Sequence, residues 1–290
     1  MIPPQARRIL LTAAALVGFL VLLGATYQGV ATALERRRFP HPGRLIDIGD
    51  RQLHIHCTGT GTPVVVLEAP AAGLSAAWGW VQPAVSMTTR VCSYDRAGLG
   101  WSELGTAELA AADVPAHLHA LLEGADESGP FVMAGHGLGA AFAAMYAARF
   151  REDVAALVLI DAPVPAPGRD EGGRVRLMRA SPWLARVGIL RVTDMLSERT
   201  DGLPAGSAGV LETFLNRPDH LTQSARELAQ WNETVQGAAP PSGDGLPIVR
   251  IDATGDNRVS FLTNADTAAA VSAAITKTVE QVRGSATGQP

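Results

Sequence analysis

Four short, continuous apolar runs constrain the fold of this chain more than any other feature of its sequence. They cover residues 63–68, 90–95, 130–134 and 154–161, and stretches with helical patterns separate them. Continuous apolar runs are typical of strands that are buried on both faces of a parallel sheet. The alternation predicts an α/β domain with a mostly parallel, doubly wound sheet. The separating helices are expected at 77–85, from Asp113 onwards, and at 138–150.

The segments before and after these runs extend the predicted sheet. Residues 44–48 and 52–57 alternate between apolar and polar side chains around a Gly-Asp turn, which predicts an antiparallel hairpin. Residues 247–252 form a last apolar run, and a stripe of apolar residues predicts a final helix over 265–283.

A long segment, residues 162–240, interrupts this rhythm. It is rich in Arg, Gly and Pro at first and then helical in pattern at 205–215 and 221–235. We expect a cap of helices inserted over the edge of the sheet, within a single domain that covers residues 39–283. The last residues, 284–290, are expected to form a disordered tail.

The N-terminal segment is apolar enough to cross a membrane. Residues 9–34 contain no charged side chain, and at about 1.5 Å per residue such a helix spans a hydrocarbon core of about 30 Å. The sequence therefore predicts a transmembrane helix over 9–34, preceded by a short flank, residues 1–8. The alternative is a cleaved signal peptide, with Arg7 and Arg8 as its positive start and 31–33 as a small-residue cleavage site.

The side of the membrane follows less directly from the charges. Two arginines precede the apolar segment and three follow it, so the positive-inside rule favours neither orientation. We expect the domain to lie outside the cytoplasm.

Composition excludes one class of partner. The formal net charge is -4, with 24 basic and 28 acidic residues that are evenly mixed along the chain. No basic stripe is available to meet a phosphate backbone, so nucleic acid is not an expected partner.

Histidine and cysteine patterns give little indication of a metal site. His54 and His56 share one face of a predicted strand, a geometry that metal sites use, but no third ligand is evident nearby. We therefore expect a solvent-facing pair on an edge hairpin, and neither a metal nor a cofactor. Cys57 and Cys92 are the only cysteines, which leaves two inert thiols or one disulfide bond.

The segment 132–140 has the context of a nucleophile elbow. It reads Val-Met-Ala-Gly-His-Gly-Leu-Gly-Ala, follows a buried strand and opens an alanine-rich helix. In the motif Gly-x-Ser-x-Gly, a serine is held in a strained backbone conformation between a strand and a helix. Here Gly135 and Gly139 are the flanking glycines, and the residue at the tip is Gly137.

With this elbow the chain resembles the α/β-hydrolase superfamily, and in particular its bacterial membrane-anchored branch. The likeness covers residues 28–283 and includes Leu-His-Ile-His-Cys-Thr-Gly at 53–59, Val-Val-Leu-Glu-Ala at 65–69 and Ser-Tyr-Asp-Arg-Ala-Gly-Leu-Gly-Trp-Ser at 93–102. The resemblance implies the α/β-hydrolase fold with a helical cap. Activity does not follow from the fold.

The resemblance also implies a serine at the tip of the elbow, a histidine in the loop before the last helix, and an acid that orients it. Gly137 has no side chain, and no histidine lies between Leu221 and the end of the sequence. Alignment of residues 259–264 with the family pattern puts Arg258 at the histidine position, and an arginine does not accept a proton at working pH. Candidates for the acid are Asp161, Asp252 and Asp256.

Other features of the family remain in place. The resemblance makes the N–H groups of Ala71 and Leu138 the two oxyanion-hole donors. Its strand order puts Cys57 and Cys92 on neighbouring strands, where a bond could form in an exported domain. His136 precedes the tip, and in the family the residue at this place points away from it.

These observations favour a catalytically inactive homologue that acts as a membrane-tethered binding or scaffolding protein. Backbone donors without a nucleophile suit a small apolar ligand or a carboxylate. The main alternative is an active serine-type carboxylic-ester hydrolase. A decaying gene whose product has no selected role is a third.

Overall fold

A seven-stranded sheet forms the centre of the structure. The computed structural model describes residues 3–105, 109–164, 172–193, 200–238, 245–252 and 261–287. The strand order is β1-β2-β4-β3-β5-β6-β7. β1 and β2 run antiparallel to their neighbours, and the other pairs are parallel. The strands are β1 (Arg44–Asp47), β2 (Gln52–Thr58), β3 (Val65–Glu68), β4 (Val91–Tyr94), β5 (Phe131–His136), β6 (Val154–Ile160) and β7 (Ile248–Ile251).

Helices cover both faces of this sheet and build the cap. A 3-10 turn at Ser75–Trp78 precedes α2, and another at Ala111–Asp113 precedes α3. The α-helices are α1 (Pro4–Arg38), α2 (Val81–Ser86), α3 (Val114–Gly124), α4 (Leu138–Arg149), α5 (Gly172–Arg186), α6 (Ile189–Thr193), α7 (Ala205–Leu215), α8 (Pro218–Ala229), α9 (Trp231–Gly237) and α10 (Ala265–Thr287). The predicted fold class, a mostly parallel sheet with an N-terminal antiparallel hairpin and helices, is confirmed.

The core is divided by the sheet into two apolar layers. Val65 and Leu67 of β3 pack in the layer that contains α2 and α10, whereas Val66, between them, packs in the layer with α3 and α4. Alternate side chains of a strand point to opposite faces. A strand covered on both faces must therefore be apolar at every position, which explains the continuous runs in the sequence.

Two boundaries differ from the sequence prediction. The helical pattern at 221–235 is two helices, α8 and α9, which meet at Gln230 (φ -95°, ψ 9°). The last helix continues to Thr287, so residues 284–287 are helical and the predicted tail is shorter. As predicted, one strand, β7, lies between the cap and α10 in the described residues, which do not include 253–260.

α1 is longer than the predicted span and contacts the cap directly. A Cβ built on Gly24 would lie 2.1 Å from the carbonyl oxygen of Val187, so the two backbones touch. The Gln28 side chain, 4% exposed, donates to the carbonyl of Asn216 at 2.8 Å. Arg191 of α6 bonds to Gln28 and pairs with Glu35. The last turns of α1 are therefore packed against protein.

Candidate active site

The elbow between β5 and α4 keeps the backbone conformation that the motif requires. Gly137 has φ 56° and ψ -123°, in the region that side chains rarely adopt, and its N–H donates to the Ile160 carbonyl at 2.9 Å. A Cβ at Gly137 would meet one atom within 4 Å, the Cβ of Pro70 at 3.9 Å. The elbow therefore has room for a side chain at its tip, and glycine adopts its dihedral angles without strain.

The two flanking glycines are required by close backbone contacts. A Cβ on Gly139 would lie 2.3 Å from the carbonyl oxygen of Glu68, and one on Gly135 would lie 2.4 Å from the carbonyl oxygen of Gly139. Any larger residue at either position would push the strand and the helix apart. The geometry of the elbow is thus preserved although its nucleophile position is empty.

The two predicted backbone donors belong to segments that meet at the tip, since the Cβ of Pro70, the residue before Ala71, lies 3.9 Å from a Cβ built at Gly137. Leu138 is the first residue of α4, where the N–H group has no partner within the helix. Ala71 lies in the loop that follows β3, and both residues contribute to one apolar cluster. Within the described ranges neither N–H group donates to another backbone or side-chain atom. Both remain available to an acceptor on a ligand.

A buried ion network holds the loop that carries Ala71. Arg96 donates to Glu68 at 2.7 Å and, from Nε, to Glu227 of α8 at 2.7 Å. The same guanidinium donates to the carbonyls of Ala69 and Pro70 at 2.7 and 2.9 Å. Burial alone would lower the pKa of Arg96, but the two carboxylates raise it above its ordinary value, so the group stays charged.

Cap residues also fix Ala72, the next residue of this loop. Ala72 has a positive φ of 57°, which costs energy in a residue with a Cβ. Its N–H donates to Glu227 at 3.3 Å, and its carbonyl accepts a hydrogen bond from Nε2 of His220 at 3.0 Å. Nδ1 of His220 accepts from the N–H of Gly100 at 3.2 Å, so both ring nitrogens are occupied. Burial lowers the pKa of His220, which keeps the ring neutral and structural.

A cavity of about 290 Å³ lies beside the elbow, beneath the cap. Apolar side chains and backbone form most of its wall, and His136 is the one ionisable residue among those that line it. The lining residues are Pro70, Ala71, Ala72, Gly73, Ala77, His136, Leu203, Leu211, Leu215, Leu262 and Thr263.

The structure corrects the expectation that His136 turns away from the site. Its ring forms part of the cavity wall, and Nδ1 is buried without a hydrogen-bond partner in the described part of the chain. Burial lowers the pKa of His136 to about 4, against the opposing effect of the Asp161 carboxylate. The ring is therefore neutral at pH 7. Its position follows from the strand: β5 ends at His136, one residue before the tip.

The predicted acids are only partly located. Asp161 follows β6 with a positive φ of 44°, is exposed, and donates its N–H to Ile251 at 2.7 Å. Asp252 follows β7 and is exposed. Asp256 and Arg258 lie outside the described residues. Of the two candidates that the structure describes, Asp161 is the one with an electrostatic effect on a residue of the cavity, His136.

The prediction of a solvent-facing histidine pair is wrong for His54. Its side chain is fully buried, and Nδ1 lies 3.0 Å from Oδ2 of Asp95. Asp95 also accepts from the N–H groups of Ser75 and Trp101. Burial would raise the pKa of Asp95, but these hydrogen bonds lower it below its usual value. The reason for the error is a tertiary contact, because the ring of Trp101, in the segment after β4, lies 4.8 Å from the His54 ring and packs against it.

A disulfide bond joins Cys57 of β2 to Cys92 of β4. The two residues are direct register partners, with Cα atoms 4.0 Å apart. Among the described residues, these two sulfurs and Glu127 form the one group of three potential metal-ligating side chains. The bond occupies both thiols, so this group offers no thiolate to a metal.

Comparison with protein families gives the same fold from sequence. A model of the alpha/beta hydrolase family matches residues 52–283. The chain belongs to this family. The match includes the elbow, the loop of Ala71, the ion network and the cap. Membership fixes the fold and the location of the site, whereas the chemistry depends on the residues present there.

Solved structures agree at the level of the fold, and curated proteins match part of the sequence. A haloalkane dehalogenase, DatA from Agrobacterium tumefaciens, aligns over 82% of this chain and 98% of its own with a TM-score of 0.60 and 16% identity. An alpha/beta hydrolase from Sphaerobacter thermophilus aligns over 81% and 88%, with a TM-score of 0.50 and 18% identity. An uncharacterized protein of Bacillus subtilis, YqjL, is 28% identical over 37% of this chain and 42% of its own length. The chain thus spans less than half the length of the curated relatives that it matches.

Proposed function

We propose that this protein is a membrane-tethered, catalytically inactive member of the family that binds a small ligand in the cavity beside the elbow. The observation that carries the proposal is Gly137, which occupies the tip of an otherwise complete elbow. Acyl transfer needs an oxygen nucleophile and a base. This chain has no oxygen at the tip and no histidine after His220.

The rigidity of the surrounding loop supports binding. Ala72 is held in a strained conformation by Glu227 and His220, and Arg96 fixes the two residues before Ala71. Such strain persists only where the surrounding structure enforces it. The free N–H groups of Ala71 and Leu138 are consequently held in fixed positions, as a carboxylate or carbonyl ligand requires.

The chemistry of the cavity wall limits the ligand class. Most of the lining is aliphatic, and the ionisable group, His136, is uncharged at pH 7 because burial lowers its pKa. An apolar wall with a few polar groups at one end suits a small, mainly apolar molecule. We infer a ligand with a short aliphatic or cyclic body and one carboxylate or carbonyl group directed at the elbow.

The alternative function, an active carboxylic-ester hydrolase, is favoured by one observation. His136 presents an unpartnered ring nitrogen beside the cavity, with Asp161 close enough to affect its pKa. An imidazole can act as a nucleophile or a base. Its neighbour at the tip nevertheless supplies no hydroxyl for it to activate.

Two measurements on the full chain in detergent separate these functions. A fluorophosphonate probe and a p-nitrophenyl ester report on a serine hydrolase, and we expect neither labelling nor turnover above the buffer rate. A screen of small carboxylates and esters by thermal shift should give a ligand that raises the melting temperature. A labelled residue or clear turnover would overturn the proposal.

A matched pair of variants locates the ligand. Leu211→Trp places a large ring in the cavity wall and should abolish the ligand-induced shift. Val210→Trp adds the same ring at the preceding position of α7. Val210 lines a different cavity, so this variant should leave the ligand-induced shift intact. Equal loss in both variants would mean that the ligand binds elsewhere or that the ring disturbs α7 itself.

Two features support a tether with the domain outside the cytoplasm. α1 is long and apolar enough to cross a membrane, with a mean hydropathy of 2.4 over its most apolar window. A signal sequence meets the same criterion, but Gln28 and Glu35 bind the cap, which supports retention of the helix. The Cys57–Cys92 bond is typical of an oxidising compartment.

The retained helix and the compartment can be tested in cells that express the chain. N-terminal sequencing of the membrane fraction should give the uncleaved start, and a new start near residue 34 would indicate a signal peptide. Alkylation with a maleimide polymer should shift the protein only after reduction. Modification without reductant would place the thiols, and with them the domain, in a reducing compartment.

A further inference from the structure

The cap carries three large apolar side chains that are exposed in the described part of the chain. Trp183 of α5 is 70% exposed, and Ile189 and Val192 of α6 are 43% and 75% exposed. The guanidinium of Arg186 stacks over the Trp183 ring at 4.9 Å.

These side chains adjoin the point where α1 contacts the cap. Val187, between α5 and α6, touches the backbone of Gly24, and Gly188 lies against Gly24 and Tyr27. Trp183 is one helical turn before this contact, and Ile189 and Val192 follow it directly. The exposed apolar surface of the cap is thus continuous with the transmembrane segment.

The position of the Val187 contact along α1 gives its depth in the bilayer. The first buried polar side chain of α1 is Gln28, so residues 9–27 are the part that can face hydrocarbon. At about 1.5 Å per residue these residues span about 28 Å, close to the thickness of a bilayer core. Gly24 lies four residues before Gln28, which puts the Val187 contact about 6 Å inside the boundary.

From Gln28 onwards, α1 has one face against the cap and one exposed apolar face. Gln28 and Glu35 face the cap, whereas Val30 and Leu34 are 55% and 60% exposed. Three arginines, Arg36 to Arg38, end the helix. A surface with an aliphatic face, a tryptophan and arginines matches the composition of the membrane interface, where aromatic rings and basic side chains gather.

We propose that α5 and α6 are seated in the phospholipid interface, with Trp183, Ile189 and Val192 inserted among the acyl chains next to α1. The inference rests on the membrane tether of the proposed function. It adds that the cap, which covers the elbow cavity, is itself a membrane-bound surface. The domain is then held against the bilayer in one orientation by two contacts, α1 and the α5–α6 surface.

Site-directed spin labelling of the full chain in phosphatidylcholine nanodiscs tests this. Both native cysteines are in the disulfide, so an introduced cysteine is the one free thiol. Labels at Trp183→Cys and Val192→Cys are compared with Leu16→Cys, in the apolar part of α1, and with Met87→Cys, 87% exposed after α2. Collision with oxygen reports lipid, and collision with a water-soluble nickel complex reports solvent.

We expect labels at 183 and 192 to resemble the label at 16, with oxygen accessibility several-fold higher relative to nickel than at 87. Labels at 183 and 192 that match 87, while 16 lies in lipid, would overturn the seating of the cap and leave the tether intact. Labels shielded from both reagents would mean that protein covers this surface, which also overturns it. If 16 itself matched 87, the tether would fail, and this inference with it.

Discussion

Arg96 and Glu227 form a buried, two-point ion pair that joins the sheet to the cap. Nε of Arg96 lies 2.7 Å from Oε1 of Glu227, and Nη2 lies 3.0 Å from Oε2. Arg96 follows β4, and Glu227 lies on α8, 131 residues later in the chain. Because both groups also bind the loop of residues 69–72, the position of the cap and the position of this loop are linked.

Removal of the charge at Glu227 should therefore destabilise the protein strongly. Glu227→Gln leaves a buried guanidinium with one carboxylate in place of two, and breaking a buried pair costs about 3–5 kcal/mol. The free energy of unfolding of the full chain in detergent, from urea titration, measures this. Asp219→Asn is the control, because Asp219 is 58% exposed in its pair with Arg217, and an exposed pair contributes up to about 1 kcal/mol. Similar losses in both variants would contradict the account.

Restoration of the nucleophile alone should give almost no activity. In Gly137→Ser the hydroxyl fits beside Pro70, but no histidine stands at the family position to take its proton. The positive φ should cost about 1–3 kcal/mol of stability, and Gly137→Ala should show the same cost without the hydroxyl. Hydrolysis of a p-nitrophenyl ester is the readout.

Two further variants locate the base if the single variant were active. His136→Gln in the Gly137→Ser background would abolish that activity if the cavity histidine served as the base. Arg258→His in the same background tests the register assigned from the sequence. We expect this double variant to hydrolyse the ester faster than Gly137→Ser alone. Activity that survives His136→Gln and does not respond to Arg258→His would mean that the base is elsewhere.

The burial of His136 predicts a loss of stability in acid. Its pKa is lowered to about 4 in the folded protein, whereas the ring protonates near 6.5 in an unfolded chain. The unfolded state therefore binds more protons between these values, so stability is full above pH 6.5 and falls as the pH decreases towards 4. The contribution is at most about 3 kcal/mol. In parallel urea titrations between pH 7 and pH 4.5, the free energy of unfolding of His136→Gln should fall less than that of the native protein. An identical decrease in both proteins would contradict a role of His136 in acid sensitivity.

Close packing between α1 and the cap should make Gly24 sensitive to substitution. A Cβ at Gly24 meets the carbonyl of Val187, whereas one at Gly18 meets nothing within 4 Å. Gly24→Leu should lower the melting temperature of the full chain in detergent by several degrees, and Gly18→Leu should not. A similar effect of both would indicate that the helix does not contact the cap, since the two residues differ in that contact alone.

The sheet and the elbow could be predicted from sequence because their signals are local. A strand buried on both faces is apolar throughout, and β3 and β6 show this directly. The elbow needs glycines at fixed offsets, since Gly135 and Gly139 have no room for a Cβ. Gly137 at the tip of the elbow, and a sequence without histidine after His220, could be recognised without coordinates.

Features that depend on distant contacts could not be predicted. His54 alternates with apolar residues as a half-exposed strand residue would, and its burial follows from contacts with Trp101 and Asp95, which lie in another part of the chain. Glu227 is one of two acidic residues on α8, and its partner lies on another element. The break at Gln230 involves neither glycine nor proline, so no local signal marks it. Each of these features depends on contacts in three dimensions and not on the local sequence.

The bonds from Gln28 and Glu35 of α1 to the cap have a mechanical consequence. α1 is bonded to the part of the domain that would have to shift when a ligand enters or leaves the cavity. Any such displacement would pull on α1 and, with the proposed membrane tether, would alter the tilt of that helix. Occupancy of the cavity would in this way be converted into a change in the angle of α1.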